Sequence, residues 1–473
     1  MSLKKSAFVL AASLVAYAGT AGAQQTPAEA TGGFGATPSQ QIGNTNIGPL
    51  FSPPFGADHL FGDWGGARSY LEKHGINLLA DYLTENFGNV SGGRNGRKGF
   101  EYVGQVGVEL DLDFGKIAGL NGLSTHTIIV QRAGRNLSAD YLGDHLATVQ
   151  EIYGGGGNVL AHFVYTYAEL ALLNNRVDTI AGRYPVGTFF AASPLYCAFV
   201  NVLTCGNPHP LPNYPGEPDW PASTWGGQIR VSPTLDTYAM VGAFQVNPNF
   251  GGRSGFSFGK SGTTGVSIPV EVGYVPRFGS NSLVGHYKLG YDYDSSRYPD
   301  LLQDGLGNPF AVTGNAPRSH HDRNEFYALV DQMLLRTGKA DTDGVIALAG
   351  FVHADRAISP LADHAYAGAL TSASVIGRPQ DSFGAIYHWI HTSGSLSTTQ
   401  QLQLARGSQL GSDGIGGTVF GVQGNEQVVE VQYTANVFRG VTVEPDFQYI
   451  IRPGATSNSR DAAVLGFRTN IQF

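Results

Sequence analysis

Along most of this chain apolar and polar residues alternate with a period of two. In the last ten positions Leu465, Phe467, Thr469, Ile471 and Phe473 share one parity, and Gly466, Arg468, Asn470 and Gln472 share the other. Val429, Val431, Tyr433, Ala435 and Val437 oppose Glu430, Gln432, Thr434 and Asn436. Near the start, Tyr102, Val106, Val108, Leu110 and Leu112 oppose Glu101, Gln105, Glu109, Asp111 and Asp113. Such alternation predicts strands with one apolar and one wet face. Segments of this kind fall near 76–88, 100–114, 122–133, 161–173, 176–184, 224–232, 236–246 and 267–275. They continue near 282–293, 323–335, 344–353, 382–391, 397–406, 427–438, 441–452 and 462–473. The clearest runs are about 9–13 residues long, enough for a tilted strand to cross a bilayer. Phe163, Tyr165 and Tyr167 share parity with Glu169, which predicts a bulge, and Asp331 interrupts its run in the same way.

The connections alternate between short ones, such as Asn174-Asn175 and Arg439-Gly440, and long ones at 134–160, 185–223, 294–322, 354–381 and 407–426. An even set of strands with turns at one end and long loops at the other is the pattern of an all-β, transmembrane antiparallel β-barrel of about sixteen strands. Loop 185–223, rich in proline, is expected to fold inward. Before the strands, residues 61–75 carry a brief helical stripe ended by Gly75, read as a short periplasmic helix. Residues 24–60 read as a flexible leader. Residues 1–23 read as a signal peptide: Lys4 and Lys5, an apolar run from Ala7 to Ala18, then Ala21-Gly22-Ala23 before the cleavage point.

Composition narrows the class. Charged residues are 14% against about 25% in ordinary soluble domains, while Gly reaches 65 of 473. A mean hydropathy of −0.09 is too polar for a bundle of membrane helices and suits a wall with an oily and a wet face. The net charge is −8, and removal of Lys4 and Lys5 takes it to about −10, which argues against a nucleic-acid partner. Cys197 and Cys205, close together in an exported chain, favour a disulfide closing a small loop.

Candidate chemistry lies on the polar parity and in the long loop. Aromatic rings offer flat apolar faces to a solute, while guanidinium forks and carboxylates bond hydroxyl groups. The candidate pore-lining residues are Arg183, Arg230, Glu271, Glu109, Trp220 and Trp225. Glu101, Asp111, Glu430, Glu444 and Arg468 share the polar face. Enzyme signals are weak. Asp341/Asp343 and Asp111/Asp113 are carboxylate pairs without a defined cleft, Gly154 to Gly157 lacks the Lys-Ser/Thr of a phosphate loop, and Gly-x-Ser-x-Gly is missing. His320-His321-Asp322 and Asp363-His364 lack a third ligand at metal spacing, so neither a metal nor a cofactor is expected.

Several stretches resemble the carbohydrate-selective outer-membrane porins, the OprB-like family. They are Gly62-Asp63-Trp64-Gly65-Gly66-x-Arg68-x-x-Leu71-x-x-x-Gly75-Ile76, Gly182-Arg183, Ser193-Pro194-Leu195-Tyr196-Cys197-x-Phe199-Val200-Asn201, Cys205-Gly206-Asn207-Pro208, Pro221-Ala222-Ser223-Thr224-Trp225-Gly226 and Gln245-Val246-Asn247-Pro248. The resemblance implies a sixteen-stranded barrel passing glucose and similar sugars across the outer membrane. Expected partners are carbohydrate solutes, outer-membrane lipid and lipopolysaccharide, and the barrel-assembly machinery through the strand ending at Phe473. Monomer and homo-oligomer both remain open. A porin of other specificity and a secreted soluble carbohydrate-binding β protein are the alternative readings.

Overall fold

The computed structural model describes residues 59–473 apart from 154–157, 206, 209–219, 252–253 and 339–340. The expected signal peptide, nearly all of the expected leader and the middle of loop 185–223 lie outside the described residues. Sixteen antiparallel strands close into a barrel. They are β1 (Ile76–Gly93), β2 (Gly99–Asp113), β3 (Leu123–Gly134), β4 (Val159–Leu172), β5 (Val177–Tyr184), β6 (Thr224–Val231), β7 (Thr237–Val246) and β8 (Gly265–Tyr274). The circuit continues with β9 (Leu283–Asp294), β10 (Arg323–Arg336), β11 (Gly344–Ala354), β12 (Leu361–Ala373), β13 (Arg378–Thr392), β14 (Asn425–Phe438), β15 (Val441–Ile451) and β16 (Arg460–Gln472). Each strand pairs with its sequence neighbour, and β1 pairs with β16, Asp81 facing Gln472 and Glu85 facing Arg468. Closure leaves no unpaired sheet edge, which lipid would not tolerate.

The predicted parities hold on β2, β9 and β14–β16. Val106, Val108, Leu289, Phe447, Leu465 and Phe467 are exposed, whereas Gln105, Glu109, Asp292, Glu430, Glu444 and Arg468 are buried. The β3–β4 register slips between Ile128 and Ile129, so Phe163 turns outward while Tyr165, Tyr167 and Glu169 face in. Helix α1 (Ala67–Lys73) lies at the short-turn end, where Arg68 donates to the Phe473 carbonyl and Phe61 stacks on the Phe473 ring at 5.7 Å. Short turns mark this end as periplasmic.

Two expectations about elements are corrected. Residues 397–406 form no strand. Residues 397–405 belong to helix α2 (Gly394–Ala405), with Arg406 at its C-cap, and its first turn is capped by the Ser393 side chain accepting from the Ser395 N–H. Leu402 and Leu404 alternate with Gln403 there, but three positions carry little weight against a cap. The strand that completes the count is β12, inside the expected loop 354–381. Its outward residues Ala365, Ala367 and Ala369 are small, and its inward side includes Tyr366 and Leu370, so no oily-wet contrast marks it.

The same exception extends across a sector of the wall. The inward faces of β10–β13 carry Tyr327, Leu329, Met333, Ile346, Leu348, Tyr366, Leu370 and Ile386, which are apolar or aromatic. They are covered by Ala191, Leu195, Tyr196 and Phe199 from the connection between β5 and β6. Burial against this inner segment removes the need for polar residues there.

Candidate functional site

The segment 186–205 lies within the barrel and is held by wall residues on both sides. Glu271 on β8 accepts from the Ala191 N–H (2.9 Å) and from the hydroxyls of Tyr238 (2.6 Å) and Tyr327 (2.7 Å). Lys288 on β9 donates to the Ala192 carbonyl, and Tyr196 meets Tyr366 hydroxyl to hydroxyl at 2.8 Å. Across the lumen, Glu430 on β14 accepts the N–H groups of Val200 and Asn201, and Asn201 donates to Gln448 on β15 (2.8 Å). Arg468 on β16 donates to the carbonyls of Cys197 (2.6 Å) and Phe199 (3.2 Å) while paired with Glu444 (2.6 Å). Cys197 and Cys205 are joined in a disulfide that closes the tip of this segment. A connection rich in Pro and small residues reaches the lumen because the wall supplies partners for its backbone groups.

A second connection, between β3 and β4, packs beside the first. Val202 N–H donates to the Thr148 carbonyl (3.1 Å), and Gln448 reaches the Val149 carbonyl (3.2 Å). Ile152 N–H donates to Glu85 (3.2 Å), and Arg132 to the Ile152 carbonyl (2.8 Å). Farther toward the long-loop end, His145 meets Asp413 at 2.6 Å. Burial disfavours the charged imidazole, but the bond to Asp413 and the charges of Asp413 and Asp144 outweigh it, raising the His145 pKa above its ordinary value. Burial would raise Asp413, yet the bond and charge of His145 hold its pKa below the usual carboxylate range.

The predicted site residues divide three ways. Glu109 and Arg230 lie on the inward parity of β2 and β6. Arg230 sits 4.1 Å over the Tyr238 ring and opposite Asp178 of β5, and Glu109 accepts from the Tyr165 hydroxyl at 2.7 Å. Glu271 is inward as well, but its oxygens are taken up in anchoring the inner segment. Trp220 is buried against Tyr165, edge to face at 6.2 Å.

Trp225 and Arg183 do not line the lumen. They are register partners on β6 and β5, hence on one face, and Trp225 is 36% exposed on the outside of the wall. Arg183 is covered there by the β7–β8 connection. Its guanidinium lies 5.1 Å from the Phe250 and Phe258 rings and donates to the Gly255 carbonyl. Sequence proximity to the long loop suggested a lumen role, but the strict alternation of the strand assigns the opposite face.

Several inward residues escaped the sequence reading: Asp81, Glu85, His126, Arg132, Tyr165, Tyr167 and Asp178, all buried inside the barrel. Tyr165 and Tyr167, ring centroids 5.2 Å apart, form an aromatic patch with Trp220 beside Glu109. The signal for them was their shared parity with Glu169.

The family model for the carbohydrate-selective porin, OprB family, matches residues 97–473. Porin B of Pseudomonas aeruginosa is 28% identical over 432 residues, covering 89% of this chain and 92% of that protein. The high-pH structure of Pseudomonas putida OprB matches with a TM-score of 0.81 at 28% identity, covering 89% of this chain and 100% of that one. The low-pH structure of the same protein shares the fold at a TM-score of 0.53 and 18% identity, covering 88% and 100% of the two chains.

Proposed function

Because this chain belongs to the carbohydrate-selective porin family, OprB, we propose that sugars diffuse through it between the inner segment and the polar sector of its wall on β1–β7. The protein is a carbohydrate porin of the bacterial outer membrane. The observation that supports the specific route is the patch of Tyr165, Tyr167 and Trp220 flanked by Glu109. These side chains are at most 7% exposed, and Tyr167 packs against Phe189 of the inner segment, so they shape the passage by seating that segment. The chain acts as a passage and not as a catalyst, as its porin relatives do. Trp225, Phe256 and Phe258 on the outer face suit contact with outer-membrane lipid and lipopolysaccharide, where aromatic girdles sit. The strand ending at Phe473 suits engagement by the barrel-assembly machinery.

Liposome swelling with sugars of graded size tests this reading. Monosaccharides are expected to enter faster than through bare lipid, and Tyr165→Ala is expected to change uptake of glucose more than that of a small ion. Swelling no faster than in protein-free vesicles would sink the porin reading. Equal effects of the variant on sugar and ion would sink the aromatic route.

A further inference from the structure

Toward the periplasmic end, the lumen wall gathers several buried carboxylates. Asp81 is four residues closer to that end than Glu85 along β1. Near it lie Glu109 and Asp111 on β2, His126 on β3, Glu169 on β4 and Asp178 on β5, with Arg230 opposite Asp178. Five carboxylates thus share a low-dielectric region with one guanidinium beside them. Burying uncompensated charge of that size is costly unless the carboxylates take up protons or a cation joins them.

The geometry points to a divalent-cation site built by Glu109, Asp111 and His126. One oxygen or nitrogen from each lies within 4.8 Å of the others. Ligands about 2.0–2.2 Å from a common ion lie about 3.3–3.6 Å apart in a tetrahedral shell, so the donors would draw together by up to roughly 1.5 Å on binding. His126 Nδ1 faces Asp111 Oδ1 at 2.7 Å, so an ion would take the position of the proton between them. The other ring nitrogen, Nε2, lies 3.0 Å from the Ser124 hydroxyl and 3.6 Å from Glu169. A bound imidazole donates its remaining N–H to a group of that kind, which fixes its tautomer.

The carboxylates are oriented in the same manner. Tyr165 donates to Glu109 Oε1 (2.7 Å), and Asn77 to Asp111 Oδ2 (3.3 Å). The remaining oxygen of Glu109, a residue only 1% exposed, has no hydrogen-bond partner, and neither does Oδ1 of the similarly buried Asp81. That buried oxygen, left unsatisfied by any described protein donor, is the observation that calls for an ion beyond the cluster itself. A mixed set of one imidazole and two carboxylates suits a borderline cation such as zinc better than calcium or magnesium, which favour oxygen alone. Three protein ligands leave a coordination position for water or a solute hydroxyl. The site needs the closed barrel and not the identity of the transported solute.

Titration of the full chain, folded in detergent micelles and stripped with a chelator, tests the proposal with Zn2+, Mn2+ and Ca2+ as separate probes. Calorimetry is expected to show one equivalent of Zn2+ at micromolar affinity, with Ca2+ weaker. Glu109→Gln and His126→Gln should each weaken Zn2+ binding by about tenfold or more, and Tyr165→Phe by a smaller factor. X-ray absorption of the loaded wild type should show a nitrogen and oxygen shell containing one imidazole, a readout that does not depend on variant folding. No saturable Zn2+ binding below millimolar concentration would overturn the proposal. So would an absorption spectrum without imidazole, or binding unchanged in both folded variants.

Discussion

Glu430 and Glu444 face the same lumen as Asp81 and Glu109, and all four are nearly fully buried. Glu430 receives two backbone N–H groups of the inner segment, and Glu444 accepts two bonds from Arg468. Glu109 receives one tyrosine hydroxyl, and Asp81 keeps an oxygen without a partner. Sequence chemistry is the same in both places, so the difference lies in what crosses above each wall. Where a loop lies across the strands, its peptide groups take up the charges and turn them into anchors. Glu109 and Asp81 receive no described loop donor, and each keeps an oxygen without a hydrogen bond.

Arg468→Ala strikes the first region hardest. It leaves Glu444 buried without its guanidinium and strips donors from the Cys197 and Phe199 carbonyls. Loss of one partner from a buried pair costs about 3–5 kcal/mol, so the variant should unfold at clearly lower urea and show raised single-channel conductance. Unchanged urea resistance would erase the contrast drawn above. Replacing Cys197 and Cys205 together by serine should act next in size. The short ring they close is worth roughly 2–3 kcal/mol, expected to appear as protease sensitivity of the inner segment and not of the barrel. Equal loss of both would show that the segment and wall fold as one unit.

Glu109→Gln should act in the opposite direction. Removing an excess buried charge is expected to leave metal-free stability unchanged or higher by about 1 kcal/mol, measured by urea unfolding. A marked loss would mean that Glu109 is an anchor like Glu430. The smallest effect belongs to the link between His145 and Asp413, which ties the β3–β4 and α2–β14 connections. The raised His145 contributes fully below its unfolded pKa of about 6.5 and loses that contribution as pH rises through its folded value. The depressed Asp413 contributes above about 3.8 and loses it as pH falls through its own folded value. The tie is therefore strongest between about pH 4 and 6.5, worth about 1 kcal/mol, and proteolysis of these connections should be slowest there. Asp413→Asn should flatten that profile.

The strands whose two faces meet different media could be read directly, as Leu465, Phe467 and Arg468 illustrate. Reading failed where both faces meet apolar surroundings. β12 has Tyr366 and Leu370 packed under Tyr196 and Phe199, so its inward side, which also holds His364 and Ser372, shows no regular polar alternation. The candidate residues were harder than the strands because a strand's face depends on counting from a fixed position. Arg183 was chosen for its nearness to a loop, and one parity step places it outside. His126 stands fifteen positions from Asp111 and becomes its neighbour only through the β2–β3 register. No spacing rule for metal ligands anticipates a pair made by a hairpin of that length.

The inner segment also has a mechanical meaning. It is fastened to β8 and β9 on one side and to β14, β15 and β16 on the other, like a spoke pulling on opposite parts of a rim. A hoop without such a tie flattens easily when its neighbours press on it. This one must stretch hydrogen bonds at several strands before its cross-section can change, so the tie stiffens it against sideways pressure.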